Sequence, residues 1–94
     1  DYGRAIDLYR AAAMRGHPVA QYLMGVMYQE GWGVKRDLVE AYKWLTLAAP
    51  QAARIQAHNP QFDPRGQREH LMVKLNRTQI NRAERMARDM TNGK

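Results

Sequence analysis

Residues 5–49 read AIDLYRAAAMRGHPVAQYLMGVMYQEGWGVKRDLVEAYKWLTLAA, and the reading of this stretch decides the fold. It contains a repeat. Residues 1–13 align on residues 37–49 at an offset of 36, with Asp1/Asp37, Ala5/Ala41, Ala12/Ala48 and Ala13/Ala49 identical. Repetition at such a period marks stacked supersecondary units that cannot bury their apolar faces alone. In the second copy Leu38, Ala41, Trp44, Leu45 and Ala48 recur at helical spacing, which draws one apolar stripe along an amphipathic helix.

The punctuation between the two copies is helical as well. Gly16 suits the left-handed position after a helix, and Pro18 suits the first position of the next. Ala20, Leu23, Met24, Met27 and Tyr28 then lie along one face. Gly25, in mid-helix, costs about 1 kcal/mol relative to alanine. Its physical use is close approach of a neighbour, so it is expected beneath a large side chain of the helix beginning at Leu38. Gly31-Trp32-Gly33-Val34 breaks the chain, and Asp37 with Glu40 makes a D-x-x-E capping box.

These residues, in this order, resemble the Sel-one-like repeat, a relative of the tetratricopeptide repeat. The pattern falls on Ala20, Met24, Gly25, Tyr28, Gly31, Gly33, Val34, Asp37, Ala41, Leu45, Ala48 and Ala49, with Met24 in place of leucine as the one departure. The resemblance covers residues 1–49. It implies an all-α fold, a short right-handed solenoid of about five helices in antiparallel pairs, in a single domain over 1–94. It also implies that a helix pair is interrupted ahead of Asp1. Further repeats are then expected before it, or self-association through the uncovered end.

Beyond Ala49 the repeat loosens. Pro50, Pro60 and Pro64 exclude a third copy in strict register, and residues 50–62 are expected to be irregular or partly helical around 52–57. Asp63-Pro64 reads as N-cap and first helical position of a helix over 64–75, with Leu71, Met72 and Leu75 inward. Asn76 and Gln79 form a second capping box. Ile80, Ala83, Ala87 and Met90 give the last helix its apolar stripe, and Asn92-Gly93 ends it. Residues 50–94 thus read as divergent helices that cap the stack.

Composition excludes several function classes. The 94 residues contain no cysteine, which removes disulfides and cysteine-based metal sites. No apolar run is long enough to span a membrane. The chain begins at Asp1 without Met and without a signal peptide, as expected of a processed or excised piece. His17, His58 and His70 follow no metal-binding or catalytic spacing, and no phosphate loop or nucleophile elbow occurs, so neither catalytic residue, cofactor nor metal is assigned.

Charge is one-sided. Residues 1–50 hold six Lys/Arg against five Asp/Glu, and residues 51–94 hold nine against four. Arg77, Arg82, Arg85 and Arg88 make a basic ladder on the last helix, the basis of an alternative reading as a nucleic-acid or polyanion module. Glu84 and Asp89 interrupt that ladder and no aromatic interleaves it, so a solvated face is the preferred reading. Tyr28 and Trp44 are expected in the core. Gln21 and Tyr22 lie off the stripe of a helix whose one charged residue is Glu30. They are expected on a concave face shared with the helix of 64–75, with Trp32 at its rim. The resulting expectation is a non-enzymatic interaction scaffold, adaptor or regulatory module that binds a protein or peptide through Gln21, Tyr22 and Trp32. The resemblance implies a bacterial setting, in cytoplasm or periplasm.

Overall fold

A computed structural model describes residues 2–92. Asp1, aligned above on Asp37, and Gly93, read as a helix stop, lie outside the described residues. The order is α1 (Tyr2–Met14), α2 (Pro18–Glu30), α3 (Leu38–Ala48), a 3₁₀ turn (Ala49–Gln51), α4 (Ala52–His58), α5 (Pro64–Met72) and α6 (Arg77–Asn92). The fold is an all-helical repeat solenoid, with no strand among the described residues. Besides the five helices read from the sequence it contains the short α4.

Local signals set the first three helices. His17 caps α2, its Nδ1 accepting from the Ala20 N–H at 3.3 Å, and Pro18 follows as the first helical residue. Gly31 ends α2 at φ 74°, and its N–H donates to the Met27 carbonyl at 2.7 Å. A side chain would be strained there, and Gly33 at φ 75° allows the second reversal that leads into α3. Asp37 caps α3 by accepting from the Val39 and Glu40 N–H groups at 3.0 and 3.1 Å. The capping box is only half made. Glu40 does not reach back, but pairs at 2.8 Å with Lys43, whose ammonium lies 4.5 Å from the Trp44 ring centroid. Asn76 and Gln79 do form the full reciprocal box at the start of α6, at 2.9 and 2.8 Å.

Helix α3 is the centre of the packing, with α2, α5 and α6 against it, while α1 packs on α2. Ala41, Tyr42, Leu45 and Ala48 of α3 gather Tyr22, Ile55, Leu71 and Ala83 into the main core. Trp44 faces a second cluster with Ala13, Ala20 and Met24, against which Met90 of α6 packs. Small residues at Ala83 and Ala87 let α6 lie close on α3. Tyr28 is half-buried between the clusters, and its hydroxyl accepts from Arg10 at 3.3 Å.

Beyond residue 50 one expectation holds and one is corrected. The segment 50–62 is partly helical as read, with α4 at Ala52–His58, and the fully buried Ile55 anchors it on α2. A turn at Asn59 follows, with the Phe62 N–H donating to its carbonyl at 3.0 Å. It returns Phe62 onto Tyr22 with ring centroids 4.7 Å apart. Helix α5 stops at Met72 rather than at residue 75, so Met72 and Leu75 do not share a face. Leu71 is buried and Leu75 packs on the core, but Met72 is 40% exposed.

Candidate functional site

A cleft of about 650 Å³ opens between the first turn of α2, the C-terminal end of α3, and helices α5 and α6. Gln21, Thr46, Arg68, Glu84, Arg88 and Asn92 are among its walls, with Leu47, Pro50 and Ala87 as apolar floor. The volume falls in the usual range for small-ligand sites. Helix α6 provides one wall, so the surface is more than the row of α2 and α5 anticipated from the sequence.

Gln21 marks the deep side. It is 6% exposed, its Nε2 donates to the Ala13 carbonyl at 3.2 Å, and its Oε1 is buried with no hydrogen-bond partner. Arg68 bridges the opposite walls. Its Nε donates to Thr46 Oγ1 at 2.9 Å, its Nη2 pairs with Glu84 Oε2 at 3.1 Å, and its guanidinium lies 4.7 Å from the Tyr42 ring centroid. Beneath it the Tyr42 hydroxyl is buried without a partner. Burial pushes that phenol's pKa above its ordinary value, against the opposing pull of Arg68 and with a smaller raising contribution from Glu84.

The residues proposed from the sequence as a binding set are separated by the fold. Gln21 lines the cleft. Tyr22 does not face an open groove: it is 5% exposed and stacked on Phe62, a neighbour that only α4 and the Asn59 turn bring into reach. Trp32 is 57% exposed, yet it follows the other end of α2, roughly 15 Å along the helix from Gln21. It is absent from the cleft walls, so it does not form their rim. Gly25, Gly31, Gly33, Asp37, Ala20, Ala41, Ala48 and Ala49 occupy caps, turns and packed helix faces.

The sequence pointed to neither Arg68 nor Arg88 as a cleft residue, although Arg88 is exposed as read. Nothing local distinguishes either arginine. The Arg68–Glu84 pair joins residues sixteen apart on different helices, and Arg88 becomes a cleft residue only because α6 crosses α3. The histidines are dispersed: His17 is a cap, and His58 and His70 are exposed. Among the described residues no group of three or more His, Asp or Glu side chains is placed to hold a metal ion, and no helix is long and apolar enough to cross a membrane.

The α2–α3 hairpin, flanked by α1 and closed by divergent helices, defines a helical-repeat protein. The Sel1 repeat pattern matches residues 1–17 and 18–51, more than half of the chain, and the boundary between the two matches falls at the His17 cap of α2. The chain belongs to the Sel1 repeat family. It is also similar to chitin synthase regulatory factor 3 of Schizosaccharomyces pombe, 49% identical over 37 residues. That match takes in 39% of this chain but only 4% of the relative. The relative is a yeast protein, so the likeness does not carry the bacterial setting expected from the sequence. No solved structure matches. Sel1 repeats are non-catalytic and mediate protein–protein interaction and regulation.

Proposed function

We propose that the chain is a non-enzymatic adaptor or regulatory module whose partner protein docks a segment into the Gln21 cleft. The observation that carries this reading is the cleft itself, an open depression of mixed polar and apolar lining with one buried amide oxygen left without a partner. The yeast relative, named a regulatory factor, supports a regulatory use of the repeat. Tyr22 acts in this reading as a positioning residue behind Gln21. Trp32 acts as a separate contact for a larger partner, because exposed tryptophan is a common interface anchor.

Affinity capture with the wild-type chain and with Thr91→Trp, which obstructs the cleft from an exposed position, tests the proposal. Partners retained by wild type and lost by the variant are expected, with Trp32→Ala giving a partial loss. An identical captured set from all three chains contradicts docking in the cleft. Self-association is proposed for the face of α1 that leaves Leu8 and Tyr9 exposed. A constant monomer mass by light scattering across a wide concentration range contradicts it.

A further inference from the structure

Three hollows adjoin along the C-terminal half of α3. The cleft shares Gln21, Leu47 and Thr91 with a smaller hollow of about 240 Å³ that includes Arg15. On its other side it shares Thr46, Pro50 and Arg68 with a hollow of about 550 Å³ that includes Arg65. An occupant of this run is elongated rather than compact.

Charge along the run is one-sided. Arg15, Arg65 and Arg88 have no acidic partner among the described residues, whereas Glu84 is already engaged by Arg68. Glu69 is the one carboxylate on these walls left without a cation. Hydrogen-bonding capacity points the same way, because each guanidinium offers only donors. Gln21 is the exception and the second observation. It is more than nine-tenths buried, lines the cleft, and holds an acceptor, Oε1, that nothing in the chain satisfies.

We propose that this run of hollows binds an acidic peptide segment in extended conformation. A main-chain N–H of the segment donates to Gln21 Oε1, and its side-chain carboxylates pair with Arg88 in the centre and with Arg15 or Arg65 at the ends. An extended chain presents N–H and C=O groups at each step, matching one buried acceptor among many donors. A nucleic-acid strand matches less well, because no aromatic side chain lines any of the three hollows for base stacking. The inference rests on the interaction-module reading above and adds the chemistry of the partner.

The test overlays the intact chain on an array of random peptides and measures the strongest hit in solution. Asp and Glu are expected to be enriched among bound peptides. Arg88→Gln and Gln21→Leu should each weaken the best peptide by about fivefold or more, while Arg82→Gln, on the same helix but outside the hollows, should leave it unchanged. Arg88 is exposed and has no ion pair among the described residues, so a folding defect is not expected to obscure its effect. Binding without acidic enrichment, or equal losses from Arg82→Gln and Arg88→Gln, overturns the acidic-peptide assignment and leaves the module reading standing. Oligothymidylate that displaces the best peptide equally well overturns it in favour of a general polyanion site. Failure to bind any peptide overturns the inference together with the docking of a partner segment in the cleft.

Discussion

Gly25 lies directly against Leu45. A Cβ placed on Gly25 would stand 2.8 Å from Leu45 Cγ and 2.9 Å from its Cδ2, with the Ala41 carbonyl oxygen 3.4 Å away. Glycine in mid-helix is therefore the condition for the α2–α3 approach. Leu45 is fully buried, in an interior packed as closely as an organic crystal.

Gly25→Leu should overpack this contact and cost about 1–3 kcal/mol. A chain of this size then melts several degrees lower, at about 4–8 °C per kcal/mol. Gly25→Ala gains about 1 kcal/mol of helix propensity and so should lose less. The specific check is a double-mutant cycle with Leu45→Ala, in which the cost of Gly25→Ala must shrink or change sign. A melting temperature for Gly25→Leu within a degree or two of wild type contradicts the close contact.

Tyr42 makes a pH-dependent prediction. Burial holds its phenol pKa above the ordinary value of about 10 in the folded state. The unfolded chain therefore releases that proton first as pH rises, the native state holds more protons, and stability falls above about pH 10. Tyr42→Phe removes this contribution along with a buried hydroxyl that has no partner. At neutral pH the variant should be within about 1 kcal/mol of wild type, or more stable. Urea melts at pH 8 and pH 10.5 check the sign: wild type should lose more stability than the variant between them.

The stretch read best from the sequence is the one whose signals are local. Gly16, Pro18, Gly31, Asp37 and the apolar stripes of α2 and α3 all act within a few residues, and they fixed three helices and their caps. Residues 50–62 read only as irregular or partly helical, because α4 has a single fully buried apolar anchor, Ile55, between prolines. Its other anchor, Phe62, lies beyond the Asn59 turn. The same gap hid the burial of Tyr22. The cleft was legible at Gln21 alone, as a neutral residue beside the core stripe. Its arginines come from α5 and α6, whose placement no local pattern specifies.

The Tyr22–Phe62 stack supports a further test. Phe62→Ala uncovers Tyr22 and removes the contact that ties the α4–α5 turn to α2, and it should cost about 2–4 kcal/mol given the partial burial of Phe62. Hydrogen exchange should then quicken in α4 before it does in α3. Uniform quickening across the chain contradicts a separate role for this stack.

The Arg68–Glu84 pair should contribute modestly, since both side chains are partly exposed. A double-mutant cycle with Arg68→Gln and Glu84→Gln is expected to return a coupling of about 0.5–1 kcal/mol that weakens with salt. A coupling of zero at low salt contradicts the bridge between α5 and α6.

The most direct measurement for the central claim is a titration of the isotope-labelled chain with a bound acidic peptide, following side-chain NMR signals. The Gln21 amide and the Arg88 guanidinium sit in the cleft, whereas the Trp32 indole follows the far end of α2 and Arg82 lies outside the hollows. The Gln21 and Arg88 signals are expected to shift together and saturate at one peptide concentration, with those of Trp32 and Arg82 unmoved. Shifts at Trp32 or Arg82 while Gln21 stays silent would contradict that claim.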